Sequence, residues 1–151
     1  MTRRLTSFFS LAAILIFFLL NFISCSSYFG QVKISTPDEY KKTYEANEKF
    51  ILRAVASVLR EENMGTNVEI RTGENILETD YVVKGDWRTK SIARVKRLDR
   101  SKCELILSVI TEKKTEKGWE MMRLLKKDQY DTFFDAIGIQ IYREIYNDYK
   151  Y

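Results

Sequence analysis

The chain has 151 residues, a formal net charge of +4, 45% hydrophobic and 13% aromatic residues, one Pro and no His. Its length suits one domain besides a targeting segment, and so aromatic a chain with so little Pro is not a disordered one. Arg3 and Arg4 belong to the targeting segment, which leaves 23 of the 25 basic residues against 21 acidic ones, too even a balance for a nucleic-acid binder. The absence of His removes the commonest general base, metal ligand and pH switch together.

Residues 1–24 have the layout of an export signal. Arg3 and Arg4 make a basic start, and residues 8–20 form an apolar run of signal-peptide length. A membrane-spanning helix would need roughly 20 apolar residues. The basic start keeps the N-terminus in the cytoplasm and sends the rest across. Next comes Phe22-Ile23-Ser24-Cys25. It resembles a lipobox, the maturation signal of bacterial lipoproteins. Ser24 is the small residue wanted before the cut, and Phe22 stands where Leu is usual. The resemblance implies a diacylglyceryl group on the Cys25 thiol, cleavage by signal peptidase II between Ser24 and Cys25, and acylation of the new amino group. Two or three acyl chains anchor stably where one binds only marginally. Arg3-Arg4 lacks the aromatic residue and Lys that twin-arginine export needs, so the general secretory route is expected. The alternative, an uncleaved apolar anchor, tethers the domain outside the cytoplasm all the same.

Three units are therefore expected: a signal peptide over 1–24, a lipidated Cys25 with a short tether over 25–40, and one domain over 41–151. With Cys25 lipidated, Cys103 has no partner. It is either a reactive or intermolecular thiol, or a small buried hydrophobe heading the alternating run Cys103, Leu105, Leu107, Val109.

Residues 41–46 could form a short strand. A helix follows over 47–64, with Asn47 as N-cap and Glu48 at the positive end of its dipole. Its buried face is Ile51, Ala54, Val55, Val58 and Leu59, opposite Arg53, Arg60 and Glu61. Gly65 ends it in the C′ position. The period then changes to two. Strands are predicted over 68–71, 76–83, 89–98 and 103–112, joined at 72–75, at Gly85-Asp86 and at 99–102. Residues 113–118 form a charged hairpin tip, and 119–124 lead back. The last element is a helix over 129–149, with Asp128 as N-cap and Phe134, Ile137, Ile141 and Ile145 as its apolar stripe. The fold class is α+β. An antiparallel four- to five-stranded sheet is covered on one face by two helices, in the order (β)-α-β-β-β-β-α.

Ala54-Val55 and Leu59 in the first helix, residues 74–81 (ENILETDY), the long strands and the closing helix to Ile145 are together similar to the helix-grip domains of outer-membrane lipoproteins, the BamC type among them. The similarity covers roughly residues 43–147 as a pattern. It implies the fold, and it suggests a role accessory to outer-membrane assembly.

Chemistry-bearing residues are sparse. No Ser has a His to serve it, and Ser108 and Lys113 fall on opposite faces of one strand. Glu74, Glu78 and Asp80 form either a calcium or acid–base site or a solvated strand face. Arg88, Lys90, Arg94, Lys96, Arg97, Arg100 and Lys102 make the densest basic stretch. It faces either envelope polyanions and acidic partners or simply water. Trp87, at the break in the sheet, and the nearby Tyr81 are interface anchors or core caps. Tyr142, Tyr146 and Tyr149 on the last helix, with Tyr151, form a ridge for a partner or a bilayer interface, or amphipathic padding.

The expected function is that of a membrane-anchored envelope lipoprotein, a non-catalytic binding or scaffold module without cofactor or metal. It would sit on the outer membrane facing the periplasm, with an envelope protein as partner and no nucleic acid. Its candidate contact residues are Trp87, Tyr81, Arg94 and Lys96. The alternative is a carrier of a small apolar ligand or lipid between sheet and helices, which needs an enclosed apolar cavity.

Overall fold

Period-two stretches bounded by polar turns become the strands of one antiparallel sheet, and the two amphipathic stretches become helices on one of its faces. The computed structural model describes residues 32–150. In chain order they form β1 (Val32–Lys33), β2 (Tyr40–Tyr44), α1 (Glu48–Glu61), β3 (Thr66–Arg71), β4 (Ile76–Asp80), β5 (Val82–Lys84), β6 (Trp87–Arg97), β7 (Cys103–Thr115), β8 (Gly118–Arg123) and α2 (Lys127–Lys150). The sheet order is β1-β8-β7-β6-β4-β3, with β2 also on β7 and β5 also on β6.

The class is α+β as expected, but the sheet has eight strands rather than four or five. Part of the difference lies in residues expected to be tether. Val32 and Lys33 pair with Arg123 and Met122 at the sheet edge, and Lys33 Nζ meets Glu120 at 2.8 Å. Part lies in the run 76–83, which is two strands. Glu78 faces Ile92 but Val82 faces Thr89, so the junction holds one residue more than β6 does opposite it. That is a bulge, and it re-aims the chain around Tyr81. Residues 118–123 form a full strand, and β7 runs three residues further than expected because its charges sit in the ladder. Only Glu116 and Lys117 separate β7 from β8.

The helix ends differ as well. Asn47 caps α1 as expected, its Oδ1 accepting from Lys49 N at 3.2 Å. The stop is Asn63, not Gly65: Asn63 takes φ 53°, and Met64 N–H reaches back to Leu59 O at 3.0 Å. Asp128 lies inside the first turn of α2, where its charge suits the dipole. The cap is Lys126, whose N–H is held by Gln129 Oε1 at 2.9 Å, half of a capping box.

The core is the helix-facing side of the sheet. Leu77, Ala93, Val95, Cys103, Leu105 and Leu107 meet Ile51, Val55 and Leu59 of α1 and Tyr130, Phe134, Ile137 and Ile141 of α2. Leu52 and Ala56 are buried too, because α1 is covered by the sheet on one side and by α2 on another. Cys103 is buried among them, and burial pushes its thiol up.

The helix side also holds an ion pair at the start of α1. Glu48, in the first turn of α1, is nearly buried, and Arg97 Nε meets its Oε1 at 2.6 Å while Nη2 meets Oε2. The Arg97 hydrogen bonds hold the carboxyl below its ordinary 4.5 against the opposing effect of burial. A depressed folded-state pKa contributes stability above pH 4.5 that is lost as pH falls through the lower folded value. The denaturation midpoint is therefore expected to drop on acidification from about pH 5 to about pH 3. Glu48→Gln is expected to shrink that drop, measured by urea titration at each pH. Asp99 and Asp148, also depressed by their partners, account for a remainder.

Candidate docking surfaces

The strand register sorts the expected contact residues onto two faces. β6 pairs with β7 without interruption from Trp87 opposite Lys113 to Arg97 opposite Cys103. Side chains alternate along it, so Arg94 and Lys96 point away from the helices while Trp87 shares the parity of the core residues Ala93 and Val95. Tyr81 lies under Arg88 and Lys90, with cations 4.3 and 5.4 Å from its ring centroid, on the same open face as Arg94. Trp87 instead takes Lys113 at 5.4 Å. The four residues thus do not form one patch. Ser24 and Cys25 lie outside the described residues.

The open face carries a cluster that the sequence did not single out. Arg88 lies over Tyr81 at 4.3 Å and over Trp119 at 4.5 Å, and its Nε pairs with Glu112. Two rings and a carboxylate thus hold one guanidinium. Burial first, then the charge of Glu112, raise the Tyr81 phenol above its ordinary value. The signal was present as parity, since Trp119 falls opposite Lys114, two residues on from Glu112.

Most of the basic stretch is neutralised within the domain. Lys90 pairs with Glu78 at 3.0 Å, Arg94 with Glu39 at 2.8 Å and Lys102 with Glu45 at 3.8 Å, beside the Arg88 and Arg97 pairs. Lys96 and Arg100 make no ion pair among the described residues. A stretch so paired does not act as one anion-binding strip.

The carboxylates are engaged as well. Glu78 also meets Arg71 at 3.2 Å, Glu74 meets Arg71 at 2.9 Å, and Asp80 accepts from Asn67 at 2.9 Å. Glu78 and Asp80, but not Glu74, border a cleft of about 390 Å³ with Tyr81 and Lys90. Ser108 is buried, and its Oγ donates to the Asp38 carbonyl at 2.9 Å.

The most exposed apolar surface lies on α2. One face of this helix packs into the core through Tyr130, Phe134, Ile137 and Ile141. The outward face of its C-terminal half carries Ile139, Tyr142, Tyr146 and Tyr149, at 59, 77, 68 and 88% exposure. Their spacing of three, four and three residues places them in one stripe. Ile139 extends the Tyr ridge that the sequence predicted, and Tyr151 lies outside the described residues. Two grooves border the stripe, with Glu45 and Ile145 in the walls of both. One, of about 260 Å³, is lined by Tyr44 and Tyr142, and the other, of about 280 Å³, by Arg100 and Tyr149.

No protein-family model matches this chain, and no curated protein matches it.

Proposed function

We propose that this chain is an envelope lipoprotein, anchored through lipid on Cys25, whose α+β domain is a non-catalytic docking module. The single observation that carries the docking reading is the exposed stripe of Ile139, Tyr142, Tyr146 and Tyr149 on a helix whose other face is fully used in the core. A contiguous exposed apolar stripe on a folded domain marks a surface that something covers. The anchoring reading is supported by Arg3-Arg4, the apolar run and Ser24-Cys25. The resemblance to BamC-type domains suggests outer-membrane assembly, facing the periplasm, as the setting.

Cell fractionation tests the anchoring. Wild type is expected in the membrane fraction, and Cys25→Ala is expected to accumulate as unprocessed precursor. Native mass spectrometry separates the docking module from the carrier. A docking module flies as bare protein plus its anchor. One further apolar molecule retained per chain would replace the docking reading with the carrier one.

A further inference from the structure

We infer that the C-terminal half of α2 is the face with which the domain lies on the bilayer that its own anchor enters. Ile139, Tyr142, Tyr146 and Tyr149 would sit at headgroup level, and Arg143 and Lys150 would meet anionic phospholipid headgroups. This deepens the proposed docking role and rests on the tethering of the chain outside the cytoplasm.

The chemistry of the face fits a lipid–water boundary. Tyr has an apolar ring and a polar tip, and it concentrates where one end is dry and the other wet. α2 is 24 residues long, yet no described helix is long and apolar enough to cross a membrane. A helix with one aromatic face and flanking cations lies along the interface instead.

Charge distinguishes the two halves of the helix. The outward side of the N-terminal half carries Asp128, Asp131 and Asp135, with Asp131 paired to Lys127 at 3.1 Å and Asp135 to Lys42 at 2.6 Å. In the C-terminal half Arg143 and Lys150 are exposed beside the Tyr stripe. Of the acids there, Asp148 pairs with Lys49 at 2.9 Å and Arg53 at 3.5 Å, while Glu144 accepts from the neutral Gln140 amide at 3.1 Å and keeps its charge, so cations outnumber acids. Glu45, at the rim, is 3.8 Å from Lys102. Arg100, in the wall of the same groove as Tyr149, adds a third cation. This half is therefore complementary to an anionic headgroup layer.

The tether keeps the domain close to the bilayer. The seven residue steps from Cys25 to Val32 reach at most about 25 Å when fully extended. That is less than the length of α2 itself, about 36 Å. The domain therefore stays within its own dimensions of the headgroups, and its surface chemistry decides which side turns to them.

The test uses the full chain reconstituted in vesicles of phosphatidylethanolamine and phosphatidylglycerol with brominated acyl chains. Tyr146→Trp places a fluorophore on the exposed stripe, and the wild type, with Trp87 and Trp119, gives the background. Seated about 5–10 Å into the headgroup–acyl boundary, the added indole is expected to lose roughly half its emission. Arg143→Glu with Lys150→Glu is expected to restore most of it, and so are neutral phosphatidylcholine vesicles. Circular dichroism checks that each variant folds. No quenching at position 146 in a chain that remains on the vesicles would overturn the inference and leave the anchoring reading intact. A crosslink joining the stripes of two copies, or the stripe to another protein, without quenching would overturn it in favour of that occupant. Absence of acyl mass on the chain would sink the lipid reading alone, because the uncleaved apolar segment still tethers the domain and the same quenching is read.

Discussion

Tyr130→Ala is expected to destabilise the domain by about 3–5 kcal/mol, a cost typical of truncating a buried aromatic. Three links are lost at once. The ring is 2% exposed in the core and stacks on Tyr40 with centroids 4.0 Å apart. The hydroxyl receives the Val109 N–H at 3.1 Å. That amide lies where β7 has no strand neighbour on one edge, because β2 covers residues 103–107 and β8 covers 112–115. Tyr130 therefore closes a gap in the sheet from the helix layer, and burial pushes its phenol up to about 12. Tyr130→Phe keeps ring and volume but leaves the amide without its partner, which costs about 1–3 kcal/mol. Guanidinium denaturation of both variants checks the split. A Phe variant as stable as wild type would show that the hydroxyl does not close the edge.

Gly65→Ala is expected to cost about 1–3 kcal/mol or more, the range for forcing extra volume into a packed site. An added Cβ would lie 2.0 Å from Thr79 Oγ1 and 2.3 Å from Thr79 Cβ, and no real structure holds such contacts. Thr79 cannot simply turn away. Its Oγ1 accepts the Ser91 N–H at 2.9 Å beside the bulge, and Ser91 Oγ in turn donates to Met64 O at 2.7 Å. The α1–β3 connection is thus fastened to the irregular part of the sheet through one close approach. Thr79→Ala relieves only part of the clash, since its Cβ remains, so the Gly65→Ala cost should persist in that background. Thermal melts of the two single variants and the double variant read this directly.

Long periodic elements were legible in the sequence, and their irregular ends were not. Ile51, Val55 and Leu59 announce α1, and Ala93, Val95, Leu105 and Leu107 announce the central strands, because burial on one face imposes the helical and strand periods. Periodicity is blind to one extra residue. The run 76–83 has good strand composition throughout, yet the register slips by one between Glu78 and Val82. A two-residue strand such as Val32–Lys33 is too short to show a period, and it exists through pairing with β8. The end of β7 looked like a loop because Lys113 and Lys114 are charged. In the sheet Lys113 stands opposite Trp87 and Lys114 opposite Trp119.

The surfaces were legible in proportion to how local they are. The Tyr stripe follows from helical spacing alone, and Tyr142, Tyr146 and Tyr149 are exposed together. The grouping of Trp87 with Tyr81, Arg94 and Lys96 rested on nearness in sequence, and strand alternation separates them. The cage of Tyr81 and Trp119 around Arg88 joins residues from three parts of the chain and needed the register to be seen. Charge pairing is non-local in the same way. The partners of Arg94 and Arg97 are Glu39 and Glu48, residues some fifty positions away in the chain.

The lipid on Cys25 is tested most directly by the intact mass of the chain extracted from membranes. The protein is expected to have lost residues 1–24 and gained a diacylglyceryl group and an amide-linked acyl chain, beside a Cys25→Ala variant that keeps its N-terminal segment and gains neither. A wild-type chain that retains Met1 and carries no acyl mass would contradict that expectation.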